Sequence, residues 1–552
     1  MTIEKREPVR TDVLVIGGGG AGLRAALAAT HAGARVAILS DTRVGRGSLT
    51  AISGGAYACT SPLDQADNVC GWQCHFEDTV TAGRYLCDQD LALEFTREIP
   101  HELPRLHESG VDYVEGAASW LAYCIDPGHY AARMYYGPNA IGTDLTFPMA
   151  LDASRTNVAF HEGMVATRLL VDAERVVGAL ALTRDGHIQP FLAGATVLAT
   201  GGAGHMYERS DNSPGATGDG CVLALDAGLP LQDMEFMQFY PTALYSGTPD
   251  VYYEVIVAGV NAPLLNCNGE DIRQLHGLED PHSLTRDNLS IAIMREVVEG
   301  RGVEGGVRLD LSNVPAETLS AINPVLPGPA HRGHHSFVVA PTAHTHLGGV
   351  SINSQTETEL RGLYAAGEVA GGVHGANRLG GNALSEVLVF GRIAGSQATH
   401  FAASHEPPRT DGGASADECA RLSSLIGPEE EGVKHLRNEM KRAMSQKAGV
   451  VRDGASIDAA LLRIAELRRA LDHERAPGGR ELQHLIKTRN LFATAELVCL
   501  SAHVRTESRG AHFRTDFPAE NDVDWLQTVV LRKGTGGIMI SKKPVGLPYL
   551  SP

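Results

Sequence analysis

The segment DVLVIGGGGAGLRAALAATHAGARVAILS, residues 12–40, decides the fold. Val13 to Ile16 is an unbroken apolar run, the mark of a strand covered on both faces. Gly17-Gly18-Gly19-Gly20-Ala21-Gly22 follows it. Leu23 to His31 is rich in alanine and leucine and predicts a helix stopped by Gly33. Arg35 to Ser40 reads as a second strand. Strand, glycine turn, helix and strand is the order that a dinucleotide site demands. Gly17, Gly19 and Gly22 let the backbone approach a pyrophosphate at the helix N-terminus. A residue at the end of the second strand is expected to hold the ribose. Ser40 and Asp41 both stand there, and the choice between them is open.

Leu169 to Val171 and Val176 to Leu182 flank Asp172-Ala173-Glu174-Arg175 and read as a hairpin. Ala195 to Thr200 is another buried strand, ending in Gly201-Gly202, and Gly362 to Ala366 is a third, ending in Gly367-Glu368. Strands so far apart that all end in glycine suggest one nucleotide domain with an insertion, from about Leu231 to Ala343. Beyond Ser415 the spacing turns helical, over Asp417–Met444, Ile457–Leu471 and Glu481–His503. Leu461, Ile464 and Leu471 fall on one face. Pro407 to Gly413 reads as the linker.

The chain of 552 residues is long enough for about three domains. Its 47 basic against 65 acidic residues leave a net charge of -18, and it has no basic run, which argues against a nucleic-acid partner. The most apolar early stretch, Val13 to Ala29, holds five glycines and an arginine, so no membrane span is expected. Nine cysteines without a CxxC pair fit reduced thiols in a cytoplasm. Cys70, Cys74 and His75 offer at most three ligands where a closed metal site needs about four, so no metal is expected.

Five further motifs carry a resemblance. They are Ala216-Thr217-Gly218-Asp219-Gly220, Pro341-Thr342-Ala343-His344 with Gly348-Gly349, Gly362 to Gly367 with Glu368, His374-Gly375-Ala376-Asn377-Arg378-Leu379-Gly380-Gly381-Asn382-Ala383-Leu384, and Ser508-Arg509-Gly510-Ala511-His512. From Asp12 to about Leu526 the chain resembles the flavoprotein subunits of succinate dehydrogenase and fumarate reductase, a family that includes L-aspartate oxidase. The resemblance implies an α/β fold. A Rossmann-like FAD-binding domain (residues 1–230 and 344–406) is interrupted by an α+β capping domain (231–343). A C-terminal helical domain and tail (414–552) follow. It also implies extended FAD lying along Gly201, Gly202, Asp219 and Glu368, with Gly54, Gly55, Asn382, Leu384 and Ser385 towards the flavin.

The family moves hydride between flavin and a carbon beside a carboxylate, while a side chain transfers a proton at the neighbouring carbon. Arg286, in Thr285-Arg286-Asp287, matches the proton carrier. Arg378 matches the carboxylate clamp, whose guanidinium fork fits two carboxylate oxygens, and His344 matches the second ligand of that carboxylate.

Three departures bear on the substrate. Enzymes of the family that oxidise succinate tether FAD to a histidine whose position is Ser48 here, so FAD is expected to be non-covalent. The His-Pro-Thr motif reads Tyr240-Pro241-Thr242, which replaces a distal carboxylate ligand by a neutral, bulkier phenol. The Thr-Glu segment with its downstream arginine is not recognisable in Val251 to Ala262, where Glu254 is the candidate for the acidic role. Tyr240, Thr242 and Glu254 therefore line the rebuilt end of a substrate site whose other end, Arg378 and His344, is kept.

The reading that follows is an FAD-dependent oxidoreductase. It desaturates a bond beside a carboxylate or reduces an enoate, with succinate and fumarate as poor substrates. An amino-acid oxidase resembling L-aspartate oxidase is the second reading. A flavoprotein electron-transfer subunit with an iron-sulfur partner is the third, the chain itself carrying no run of cluster ligands.

Overall fold

The computed structural model describes residues 3–60, 71–112, 134–139, 141–245, 261–280, 283–321, 334–408, 410–429 and 432–552. Five parallel strands form its centre, in the spatial order Val158–Glu162, Val36–Ser40, Val9–Ile16, Ile188–Leu198, Leu363–Ala365. Val13 pairs with Val36 and with Ala195, so residues 13–16 are hydrogen-bonded on both sides. Val13 and Val15 pack into one buried cluster, Leu14 and Ile16 into another on the opposite face. Two covered faces explain why the run is apolar at every position. Each such side chain contributes about 1.5–3 kcal/mol on burial.

The helix Gly20–His31 and the long helix Asn382–Ala403 lie together on one face of this sheet. Their contact is close because it is built from small residues. A Cβ added at Gly395 would stand 2.1 Å from the Ala25 carbonyl oxygen. The N-terminal half of Ile188–Leu198 turns from parallel to antiparallel partners and carries the hairpin Met164–Asp172/Arg175–Thr183. Ala173 and Glu174, at the tip, have φ of +44° and +65°, the left-handed pair that a two-residue hairpin turn demands.

Between the second and third glycine-ended strands lies a four-stranded antiparallel sheet. Its order is Met237–Leu244, Ser336–His346, Val307–Asp310, Leu264–Leu265, and the helix Arg286–Val298 packs against it. After residue 413 come the helices Ala414–Ser423, Val433–Lys447, Gly454–His473 and Gly479–Val504. The helical run expected over Asp417–Met444 is thus two helices, because Gly427, Pro428 and Gly432 break it. Ile457, Ala460, Ile464, Leu467 and Leu471 are the buried stripe of the third. The tail follows the short helix Asp522–Trp525 and is built of strands. Gln527–Gly534 and Gly537–Pro544 form a hairpin that extends a small sheet made with Leu231–Gln232 and Gly349–Val350. Against the expectation of reduced thiols throughout, Cys74 is disulfide-bonded. No helix among the described residues is long and apolar enough to cross a membrane.

Candidate active site

The glycine turn after Ile16 leaves no room for side chains. Gly17 has φ of +119°, and a Cβ there would meet the Ala199 oxygen at 2.0 Å, while a Cβ on Gly22 would meet the Gly17 oxygen at 1.9 Å. The following helix is capped by Gly19 with no side-chain hydrogen bond and has no acidic residue in its first turn. Its orphan N–H groups and dipole are left for an anion. Thr50 Oγ1 accepts from the Gly20 N–H at 3.3 Å. Ser48 caps the short helix Leu49–Ile52 by accepting from the Ala51 N–H at 3.2 Å. Its Cβ lies 3.1 Å from where a Gly19 Cβ would stand, so Ser48 sits beside the turn. Gly54 and Gly55 follow at once, Gly55 with φ of +64° against the backbone of Ile141.

Across the sheet, the glycine pair after the strand Ile188–Leu198 receives Glu368. The Gly202 N–H donates to Glu368 Oε2 (3.1 Å) and the His346 N–H to Oε1 (2.9 Å). Burial raises the Glu368 pKa to about 7, against the two N–H groups that lower it. Thr200 Oγ1, one residue before this pair, is buried without a hydrogen-bond partner. Ser40 is buried at the end of the second strand, its hydroxyl accepting from the Thr42 N–H (3.3 Å). Asp41 follows it, and Asp219 opens the helix Asp219–Asp226. A glycine N-cap that has no side chain of its own to spend, a polar groove and an unspent hydroxyl fit a dinucleotide such as FAD.

At the far end of the groove the segment His374–Leu384 leads into the long helix. Asn382 is fully buried and bonds His75 Nε2 (2.8 Å) and Thr79 Oγ1 (3.1 Å). Leu384 is buried, and Ser385 Oγ donates to the Ala58 carbonyl (2.7 Å), tying the helix to the strand that follows Gly54-Gly55. The Ser508–His512 motif supports this segment from outside. The Ala511 N–H donates to the Ala376 oxygen (2.8 Å), and a Cβ on Gly510 would meet that oxygen at 2.4 Å.

Gln238 joins the inserted sheet to this segment. Its carboxamide donates to Asn377 Oδ1 and to the Arg378 carbonyl, both at 2.8 Å. Its oxygen accepts from Arg286 Nη1 at 3.5 Å. The Arg286 guanidinium lies over the Tyr240 ring, 4.9 Å from the centroid, and the Tyr240 ring meets His344 edge-on at 5.5 Å. Arg378 is buried, with Nη1 donating to the Leu379 carbonyl (2.9 Å). Asn377 also donates to Asp287 (3.0 Å), which faces Arg84 at 3.4 Å. Thr242 is fully buried, its hydroxyl without a partner.

His344 is oriented by a residue that the sequence reading missed. Its Nδ1 lies 2.6 Å from Asp211 Oδ2, which assigns the proton to Nδ1 and leaves Nε2 for the site. Asn212 holds the pair, donating to Asp211 Oδ1 (3.0 Å) and to the His344 carbonyl (2.7 Å). Burial lowers the His344 pKa; Asp211 opposes this, and the charges of Arg378 and Arg286 add to it. Nothing in Asp211-Asn212-Ser213-Pro214 signals this role, since the segment reads as a turn. The structure thus gathers Arg286, Tyr240 and His344, and links Arg378 to them through Gln238. Glu254 lies outside the described residues. Among the described residues no group of three or more acidic, histidine or cysteine side chains could hold a metal ion.

The family model for the FAD binding domain matches residues 12–384, and that for the fumarate reductase flavoprotein C-terminal region matches 437–552. The chain is 34% identical to a chain of the fumarate reductase (CoM/CoB) of Methanothermobacter marburgensis, over 95% of this chain and 97% of that one. It is 34% identical to the fumarate reductase flavoprotein subunit of Mycobacterium tuberculosis, over 98% of both. Among solved structures, an Escherichia coli quinol fumarate reductase flavoprotein superposes with a TM-score of 0.89, at 29% identity, over 99% of this chain and 98% of that one. An adenylylsulfate reductase of Archaeoglobus fulgidus shares the fold (TM-score 0.81, 18% identity, 99% and 98% covered). The chain belongs to the succinate dehydrogenase/fumarate reductase flavoprotein family and is an FAD-dependent oxidoreductase.

Proposed function

We propose that the enzyme interconverts an enoate and its saturated acid, R–CH=CH–COO⁻ + 2e⁻ + 2H⁺ ⇌ R–CH₂–CH₂–COO⁻, where R is not a second carboxylate. The observation that carries this reading is the contact series Arg286–Tyr240–His344, with Asp211 behind His344. Bound FAD supplies the two-electron transfer. Arg378 and His344 hold the carboxylate, the guanidinium through paired hydrogen bonds. Arg286 holds the proton delivered to, or taken from, the carbon next to the reacting one. The face of Tyr240 keeps its guanidinium in place, an interaction worth about 0.5–2 kcal/mol.

Tyr240 also explains the change of substrate. A carboxylate placed against this ring gains from Tyr240 itself only a neutral partner where a histidine can supply a cation, so its loss of water is less well repaid, with Arg286 the charged group facing the same ring. Steady-state reduction of fumarate, crotonate and cinnamate with a reduced dye tests the reading. Turnover of fumarate at about 10 per second or more in the unmodified protein would overturn the altered-pocket argument. Tyr240→His is expected to improve fumarate reduction. The relatives named as parts of fumarate reductases support an electron-transfer partner, and an iron-sulfur protein is the kind we propose.

A further inference from the structure

We propose that Lys487 is a positioning residue for the cofactor, a charge clamp by which the C-terminal helix Gly479–Val504 sets how firmly FAD is held. The proposal rests on reading Asp41 and Asp219 as lining the adenosine end of the groove. These two carboxylates come from different loops, one after the strand Val36–Ser40 and one at the start of the helix Asp219–Asp226. Lys487 Nζ bonds Asp41 Oδ2 and lies 3.4 Å from Asp219 Oδ2. Its side chain is only 12% exposed.

Residues 487, 490 and 494 share one face of the helix. Lys487 grips both loops, and the other two grip the one that leads into Asp219. Asn490 donates to Asp219 Oδ1 at 2.8 Å. Thr494 sits under Gly218, whose φ is +75° and whose added Cβ would meet Thr494 Oγ1 at 2.3 Å. One turn earlier, Gln483 donates to the carbonyls of Gly163 (3.0 Å) and Leu182 (2.8 Å), fixing the helix on the hairpin strands. Burial lowers the Lys487 pKa, but Asp219 and Asp41 more than offset it, so the ammonium stays charged.

The physical consequence is electrostatic. Without Lys487 two carboxylates from neighbouring loops lose the cation between them, and the pyrophosphate adds negative charge to the same groove. Repulsion then spreads the loops that close on the cofactor. Lys487 touches no reacting atom, so its effect belongs to cofactor retention and not to chemistry.

The test is FAD affinity, measured by titrating apoprotein and following quenching of flavin fluorescence, together with thermal melts of the apoprotein. Lys487→Met is expected to weaken FAD binding at least tenfold, Lys487→Arg to stay within threefold, and the exchange Asp41→Lys with Lys487→Asp to recover most of the loss. Unchanged FAD affinity in Lys487→Met, or an apoprotein melting shift with no change in affinity, overturns the clamp. If Lys487→Met does not fold, Lys487→Gln replaces it, a polar side chain without the charge that separates the two carboxylates. A tenfold loss is again expected, and unchanged affinity again overturns the clamp. Asp219→Asn separates the two ways of failing. Weaker binding there with normal binding in Lys487→Met refutes the clamp alone. Normal binding in both refutes the placement of the adenosine end as well.

Discussion

Replacing Asp211 by asparagine tests the substrate site at its least expected member. In the unmodified protein Asp211 accepts from His344 Nδ1 at 2.6 Å, a charge-assisted contact in a partly buried site. Neutral His344 with its proton on Nδ1 presents a bare Nε2, which cannot donate to a carboxylate. Binding of the substrate carboxylate must therefore bring a proton to His344. Its pKa is below the ordinary histidine value when the site is empty and rises when a carboxylate arrives. Between the two values affinity is expected to fall by up to tenfold for each unit of rising pH. Asp211 stabilises the imidazolium that forms, and Asp211→Asn removes that charge. A hydrogen bond to a charged group is worth about 1.5–3 kcal/mol, which converts to a loss of roughly 10- to 150-fold in affinity. The assay is titration of the oxidised holoenzyme with crotonate and cinnamate, read from the flavin difference spectrum between pH 5 and 8. Affinities within threefold of the parent, with the same pH dependence, would refute the proton-coupled role of His344 and its orientation by Asp211.

Three further outcomes are expected. Acid or heat denaturation releases all of the FAD, because Ser48, which caps a short helix beside the glycine turn, has no imidazole nitrogen to anchor it; yellow colour left on the precipitated chain would contradict this. Arg286→Lys keeps FAD and lowers turnover by at least a hundredfold with little change in KM, whereas Arg378→Lys raises KM as well, a point charge replacing a fork. Steady-state kinetics of both variants separate the roles, and parental turnover in Arg286→Lys would remove it from proton transfer. His346 is buried, and burial is the main cause that lowers its pKa to about 4. A lowered histidine pKa contributes stability above about pH 6.5 that is lost as pH falls. The stability advantage of the parent over His346→Gln is thus expected to shrink by about 2 kcal/mol between pH 7 and 5 in denaturant titrations.

The fold class was legible because its signals are local. Residues 12–40 hold a strand, a turn and a helix whose signals stand side by side in the chain: no side chain fits at Gly17 or Gly22, and every position of Val13–Ile16 is apolar because both faces are covered. The helical periods after residue 454 are local in the same way, as the buried stripe of Gly454–His473 illustrates. The break in the expected Asp417–Met444 run and the hairpin of Gln527–Pro544 were harder to see. The first depends on two scattered glycines and a proline. The second exists because its first strand finds Leu231–Gln232, about three hundred residues earlier.

The site divides along the same line. Arg286, His344 and Arg378 stand in motifs that sequence alone can match to a family, and the family relationship of the whole chain follows from such motifs. Sequence alone could not supply Asp211 behind His344, Gln238 between Arg286 and the Arg378 segment, or Lys487 between Asp41 and Asp219. Each is an ordinary polar residue that no motif singles out, Gln238 standing just before the Tyr240-Pro241-Thr242 motif, and its partner lies between 48 and 446 positions away. Charge pairing acts through space over a few ångströms, so only the tertiary structure, by bringing distant loops together, decides which carboxylate a lysine or a histidine meets.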